Sequence, residues 1–302
     1  MILRPTTVID AQACNGCGLC VKVCPDDTLS MQDGKAKVTG DRSFYCDHCA
    51  AICPSGAIEV KAVDSGALDL TTVENRTAWL PYGKFDAAAL VQLMRSRRSS
   101  RMFLDRPVAR ETLEDLVKIG STAPSGTNCQ LWTFTILPDR RAVMKLGAAC
   151  LDFFSKLNRM AASGPARLIS RLFMKDVLGQ YFRDYYETVE NAIAEYKRSG
   201  RDRLFHGAPA LIIIGMKPGA TCPCEDALLA AGNILLAAHA MGFGTCLIGF
   251  AVEAIKHDKR VRRLLQIPKG ERVYAVVSVG KTREWYKRPA GRMKVVPRYW
   301  NG

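Results

Sequence analysis

This chain has little that would mark it for export, for nucleic acid or for a membrane. Its first ten residues, MILRPTTVID, contain no apolar core of the kind a secretory signal needs, so a cytoplasmic protein in a reducing compartment is expected. The twelve cysteines are therefore not read as a disulfide scaffold. No zinc-finger, ribonucleoprotein or recognition-helix signature accompanies the formal net charge of +14, and nucleic acid is not expected as a partner. One stretch, Ala227 to Val252, lacks any formal charge and is long enough for a membrane span. Asn233, His239 and the Gly242-Phe243-Gly244 break argue instead for a buried helix at a dimer seam, with His239 a hydrogen-bonded core residue. The glycines from Gly242 to Gly249 follow a helix rather than a strand and do not complete GxGxxG, which removes a dinucleotide fingerprint.

What is present is a globular composition with uneven charge. Hydrophobic residues make up 48% and charged residues 24% of 302, enough for two domains, one with a sizeable core. Residues 1–70 hold six Lys/Arg against nine Asp/Glu, a balance of −3, so the remainder carries +17. A basic body suits an anionic cofactor, an anionic substrate or an acidic protein partner, each drawn in by its field.

The densest chemistry is in CNGCGLCVKVCP, Cys14 to Pro25, where four cysteines follow the spacing CxxCxxCxxxCP. This resembles the bacterial-ferredoxin run, in which three thiolates hold one iron–sulfur cube and the fourth serves a second. Zinc also takes thiolates, but a zinc ribbon pairs two CxxC units and has no use for the third cysteine or the CP ending. The run is repeated: CGLCVKVCPDDTLSM from Cys17 aligns without gaps with CDHCAAICPSGAIEV from Cys46. Between the halves a hairpin is expected to turn at Asp33-Gly34, with outer strands at Thr7–Asp10 and Ala57–Val60. Ser43 stands where Cys14 has its counterpart, so one of eight cysteines is missing. By the ferredoxin resemblance, Cys14, Cys17, Cys20 and Cys53 hold a first 4Fe–4S cluster, and Cys24, Cys46 and Cys49 a second with one position open. Ser43 is the geometric candidate for that position, with Asp47 and His48 nearby; a three-iron cluster, or none, stays open.

Residues 66–84 read as a linker between an iron–sulfur domain at 1–65 and a larger domain at 85–302. Asp86 is placed to cap a helix with Leu90, Leu93 and Met94 on one face. That helix runs into MRSRRSSRMF, whose arginine forks and serine hydroxyls suit a phosphate, although alone the run reads as a solvated basic loop. Next come a helix, ETLEDLVKIG, with Gly120 as its C-cap, the turn-rich STAPSGTNCQLWTF, and a strand over 133–137. Residues 139–206 are helical and amphipathic, expected as a structural layer rather than a membrane-surface element. A strand over 208–215, a long helix opened by Glu225 and Asp226 and closed by Gly242, and a strand over 273–279 complete the core. Cys129, Cys150 and Cys246 are expected as small core hydrophobes. Cys222-Pro223-Cys224 reads as partly buried loop cysteines, with redox chemistry or the missing cluster ligand as alternatives.

RSRRSSRMF, APSGTNCQLWTF and GFGTCLIGF, in this order, resemble the nitroreductase superfamily of FMN flavoproteins, over roughly residues 85–290. The resemblance implies an α+β chain: an N-terminal ferredoxin-like iron–sulfur domain followed by an FMN-dependent nitroreductase-like α/β sandwich. It implies that Arg97, Arg98, Ser99 and Arg101 grip the FMN phosphate and ribityl chain, that Pro124, Ser125 and Gly126 lie along the isoalloxazine, and that Asn128 and Gln130 bond its polar edge. The backbone at Leu247, Ile248 and Gly249 would approach the ring, Lys287 or Arg288 would reach the phosphate, and the tail would wrap a partner in a homodimer. Leu131 stands where the family often has proline before the tryptophan.

The expected activity is an FMN-dependent oxidoreductase that takes electrons through the clusters from reduced ferredoxin or NAD(P)H. It would pass them to a small organic acceptor: a nitroaromatic, a quinone or an activated double bond. The alternative is an electron-transfer flavoprotein relaying between protein partners. No catalytic acid or base is assigned.

Overall fold

The computed structural model describes residues 3–300. The amino-terminal module is built from β1 (Thr7–Ile9), α1 (Leu19–Val23), β2 (Leu29–Gln32), β3 (Lys35–Val38), α2 (His48–Ala51) and β4 (Ile58–Val60). β1 pairs antiparallel with β4, and β2 with β3. The hairpin turns where the Asp-Gly pair was expected to turn it, with Asp33 at φ 52 and Gly34 at φ 73. The sequence repeat is also a structural one. Gly18 before α1 and its counterpart Asp47 before α2 both take left-handed backbone, at φ 71 and φ 58, so the conformation of Asp47 follows from its place in the repeat.

Beyond β4 the chain runs without regular structure to α3 (Ala87–Ser96), which Asp86 caps by accepting from the N–H groups of Ala88 and Ala89. There follow α4 (Arg110–Gly120), β5 (Trp132–Leu137), α5 (Arg140–Ala162), α6 (Gly164–Phe173), α7 (Val177–Asp184) and α8 (Tyr186–Ser199). The chain then forms β6 (Ala210–Met216), α9 (Pro223–Ala240), β7 (Gly244–Leu247), α10 (Gly249–His257), α11 (Lys259–Leu264) and β8 (Arg272–Gly280). The four strands form one antiparallel sheet in the order β5-β6-β8-β7.

Every residue of β6 is buried, because both faces of the sheet are covered. Ala210, Ile212, Ile214 and Met216 pack under α4 and α9, and Leu211 and Ile213 pack under α5, α8 and α10. α9 lies on the sheet through a face of small residues, Ala227, Ala230, Ala231 and Ala238, with Ile234 among them. Its Leu228 and Leu229 point outward, as do Leu90, Val91 and Met94 of α3. No helix among the described residues is long and apolar enough to cross a membrane.

Two expectations change. Gly120 does not end its helix as a left-handed cap: Ser121 caps α4 in right-handed backbone, and a Cβ on Gly120 would come within 2.9 Å of Ile234. The glycine serves close packing of α4 on α9 instead. Nor do residues 139–206 bury all their apolar faces. In α6, Ser170 turns inward, its hydroxyl accepting from Leu178 N, while Leu168, Ile169, Leu172 and Phe173 face solvent.

The irregular stretch is tied to α4, where Lys118 Nζ donates to Asp69 O at 2.5 Å. Asp115 of α4, fully buried, accepts from Thr71 N at 3.0 Å and from Thr72 N and Oγ1, both at 2.6 Å. Burial works against its charge, but the Thr72 and Thr71 donors outweigh that and lower its pKa. A depressed carboxylate contributes stability above its unfolded pKa, near 3.9, and loses it as pH falls through the folded value. Asp115→Ala should therefore lower stability by about 1–3 kcal/mol at neutral pH and speed limited proteolysis within residues 61–84. The difference from wild type should shrink below about pH 4; denaturant titration at two pH values checks it.

Candidate functional site

The module sorts its cysteines into two sets. Cys20 sits within electrostatic reach of Cys14 and Cys17, and Cys14 within reach of Cys53 from the other half of the repeat. Cys24 lines one pocket together with Cys46 and Cys49. Each set thus combines thiols from both halves. Backbone groups of Ala36 and Gly16 lower the pKa of Cys14. At Cys53 burial opposes ionisation, but Ser55 and backbone groups, including Ala57 N at 3.3 Å from Sγ, outweigh it. Cys49 lacks comparable help, and burial pushes its thiol up to about 11. Two spread sets of soft thiols, some already favoured as thiolates, are a donor set that fits iron–sulfur cubes. Among the described residues no three His, Cys, Asp or Glu side chains converge as a single zinc ion requires.

Ser43 lines the same pocket, as do Asp47 and His48. Its hydroxyl accepts from Tyr45 N at 3.2 Å, and its own N–H donates to Leu3 O. Cys222 and Cys224 are not in that lining.

In the larger unit, the basic run lies against β7. Ser99 bridges Thr245, and Ser100 N donates to Thr245 O at 2.8 Å. Burial lowers the pKa of Arg97, and the charges of Arg98 and Arg292 lower it further, so three cations crowd one place. None of Arg97, Arg98 and Arg292 has a carboxylate partner among the described residues. The hydroxyl of Thr245, buried beside them, has no hydrogen-bond partner, and neither has that of Ser278 opposite Cys246. Crowded guanidinium groups next to an unpaired buried hydroxyl fit an anion with several oxygens. Leu247 and Gly249 are exposed further along β7 and at the start of α10, with Ile248 buried between them. Lys287 and Arg288 are exposed, and it is Arg292 of the tail that meets Arg97. The tail is held nearby: Arg101 N donates to Glu284 Oε1 at 2.6 Å, and Leu104 N to Lys281 O at 2.8 Å.

His239 corrects an expectation. It stands beside Arg97, and burial together with that charge lowers its pKa, which keeps it neutral at the edge of the basic cluster. Cys150 and Cys246 are core residues as expected, whereas Cys129 is only half-buried and places Sγ 3.6 Å from Asp226 Oδ2.

The loop Pro124–Gln130 gathers elsewhere. Gly126 N donates to the buried Asp226 Oδ1 at 2.9 Å, Gln130 N to Ser125 Oγ at 3.1 Å, and Thr127 bonds Thr221 through their hydroxyls at 3.0 Å. Thr127, Asn128 and Gln130 all have positive φ, near 50, a strained path that these bonds hold in place. Asn128 Nδ2 donates to the carbonyls of Phe44 and Tyr45, at 2.9 and 3.1 Å, in the segment that also carries Ser43 and Cys46.

Within one chain the two groups of predicted residues do not meet. Asp226 and His239 mark the loop and the arginines on α9, and thirteen residues of helix separate them by about 20 Å. The sheet gives the same separation: Trp132 pairs with Met216 at the loop end of β6, while Gly280 and Gly244 pair beside Ala210 at the arginine end, about 20 Å away. The sequence reading missed Arg292, Glu284, Thr245 and the Asn128 bond. Only the aromatic-basic composition of the tail signalled any of these.

The nitroreductase family model matches residues 94–281, and a 4Fe-4S dicluster domain matches residues 13–57. A ferredoxin of Thermococcus litoralis is 42% identical over 55 residues, which are 18% of this chain and 93% of that protein. An iodotyrosine deiodinase of Haliscomenobacter hydrossis is 25% identical over 233 residues, covering 69% of this chain and 90% of its own length. A crystal structure of a nitroreductase with bound FMN from Bacteroides fragilis shares the fold, with a TM-score of 0.50 at 20% identity over 70% of this chain and 98% of that one. With one match over more than half of its length and the other confined to the cysteine repeat, the chain belongs to the nitroreductase family and carries a 4Fe–4S dicluster ferredoxin module on its amino-terminal side.

Proposed function

We propose that the chain is an FMN-dependent oxidoreductase whose electrons arrive through the thiolate-held clusters, in a cytoplasmic homodimer with domains at 1–65 and 85–302 and a linker at 66–84. The observation that carries this is the Asn128 amide bonded to Phe44 and Tyr45, because it joins the cluster segment to the loop expected along a flavin ring. Bound FMN supplies the chemistry that converts one-electron delivery into two-electron reduction of an acceptor. Arg97, Arg98, Ser99 and Arg101, with Arg292 and with Lys287 or Arg288, hold the phosphate by paired charge-assisted bonds. Pro124, Ser125 and Gly126 lie along the ring, and Gln130 bonds its polar edge. Asn128, whose amide nitrogen donates to Phe44 and Tyr45, has its Oδ1 for that edge. Leu247, Ile248 and Gly249 bring backbone toward the ring. A second copy supplies the half of the site that its own chain leaves about 20 Å away along α9, which also covers the outward Leu228 and Leu229. The donor is reduced ferredoxin or NAD(P)H, and the acceptor a nitroaromatic, a quinone or an activated double bond.

Purified protein should release about one FMN per chain on denaturation; its absence removes this reading. Arg97→Ala should weaken FMN retention by roughly 10- to 100-fold, the loss of charge-assisted bonds of about 1.5–3 kcal/mol, measured by equilibrium dialysis. Two complete cubes give about eight irons per chain, and a value near four contradicts the second. If Ser43 is the weak fourth ligand, Ser43→Cys should slow loss of that cluster in air, followed by its visible absorbance. Unchanged lability assigns the ligand elsewhere.

A further inference from the structure

We propose that electrons leave the iron–sulfur module from the Cys24, Cys46 and Cys49 set, and that they serve the flavin gripped by the arginines of a second copy rather than by those of their own chain. This rests on the flavin reading above and adds the route.

Two features of the structure lead here. The first is which thiol set faces the larger unit. Phe44 lines the pocket of the second set, Tyr45 directly precedes Cys46, and both offer their carbonyls to Asn128. The thiols of both sets have partners inside the module: Ala36 and Gly16 at Cys14, Ser55 and Ala57 at Cys53, Thr28 and Leu29 at Cys24. What distinguishes the second set is that its segment also bonds the larger unit, through Asn128. Electron tunnelling falls exponentially with distance, so the set whose own segment bonds the ring loop is the exit and the other is the entry.

The second is the position of the phosphate grip. The loop end and the arginine end lie about 20 Å apart along α9, the former at Asp226 and the latter at His239. A flavin whose phosphate lies on the arginines of one copy and whose ring lies on the loop of the other is therefore closest to the thiolates of the copy that does not hold its phosphate. Two one-electron transfers from the reduced centre, with two protons from water, complete reduction of one ring. The electrons come from a low-potential one-electron donor.

Hybrid dimers test this, with a reduced bacterial-type ferredoxin as the probe donor and flavin bleaching followed by stopped-flow absorbance. In the first hybrid one chain carries Cys46→Ala and Cys49→Ala, and the other Arg97→Ala and Arg98→Ala. Two different tags isolate the mixed dimer. The expected result is half the wild-type flavin, bleached at the wild-type rate. In the second hybrid all four substitutions lie on one chain beside a wild-type partner. It should also hold half the flavin, but bleach at least tenfold more slowly. The reverse pattern means that each chain feeds its own flavin and overturns the proposal, as does a monomer that holds flavin and bleaches through its own clusters. Rapid bleaching of the Cys46→Ala, Cys49→Ala homodimer would remove the clusters from the route altogether. Absence of flavin from wild type instead removes the reading beneath, so the two failures are distinct. The electron-spin-resonance signal of the first cluster reports whether the altered module has folded. If the alanine chains do not accumulate, Cys46→Ser and Arg97→Gln carry the same comparison.

Discussion

Helix α9, which carries no formal charge beyond its first turn, is the member against which the larger unit is laid out. Its alanine face lets it lie flat on a sheet whose central strand is buried on both sides, and Gly120 lets α4 come close beside it. A carboxylate at its start, Asp226, is 2% exposed, a costly place for a charge unless it is well bonded. Gly126 N and the Cys129 thiol supply those bonds, so stabilising the helix start also fixes the strained loop from Pro124 to Gln130. At the other end, His239 stays neutral under the basic cluster. A stiff helix thus keeps two specialised surfaces apart, and a rod of this kind cannot bend to bring them together. The completion by a second copy proposed above fits that constraint.

The iron–sulfur module shows what repetition preserves and what it lets go. Both halves keep the same left-handed step before their short helix, and both give thiols to each set. Their environments differ. Cys14 is favoured as a thiolate by backbone donors and has Lys35 close by, whereas Cys49 is disfavoured by burial and has Asp47 as a neighbour. The half that lost a cysteine is also the half that leans on the larger unit, through Asn128. Contact with a second domain and full thiolate ligation are demands on the same short segment, Ser43 to Cys49.

Features decided within a few residues were legible in the sequence. The Asp33-Gly34 turn, the Asp86 cap, the ends of β5, β6 and β8 to within two residues, and the two thiol sets follow from local backbone preference, from period or from ligand spacing. These depend on interactions that neighbouring residues impose whatever the rest of the chain does. The outward apolar face of α6 was not legible, because periodicity says that a helix has a face and not which way it turns. Nor was the place of His239, or that of Arg292, since a core histidine and a basic tail read alike with or without a cluster beside them.

By itself, then, the sequence determined the chemistry available to this protein: soft thiolates in two sets, a run of guanidinium groups, and a loop of small and amide residues. Tertiary structure alone decided their distances. The bond from Asn128 to Phe44 spans 84 residues, and that from Arg101 to Glu284 spans 183. Contacts of that range arise from packing of whole elements, which no local preference encodes. It was packing along α9 that set the loop beside the clusters and the arginines at the far end.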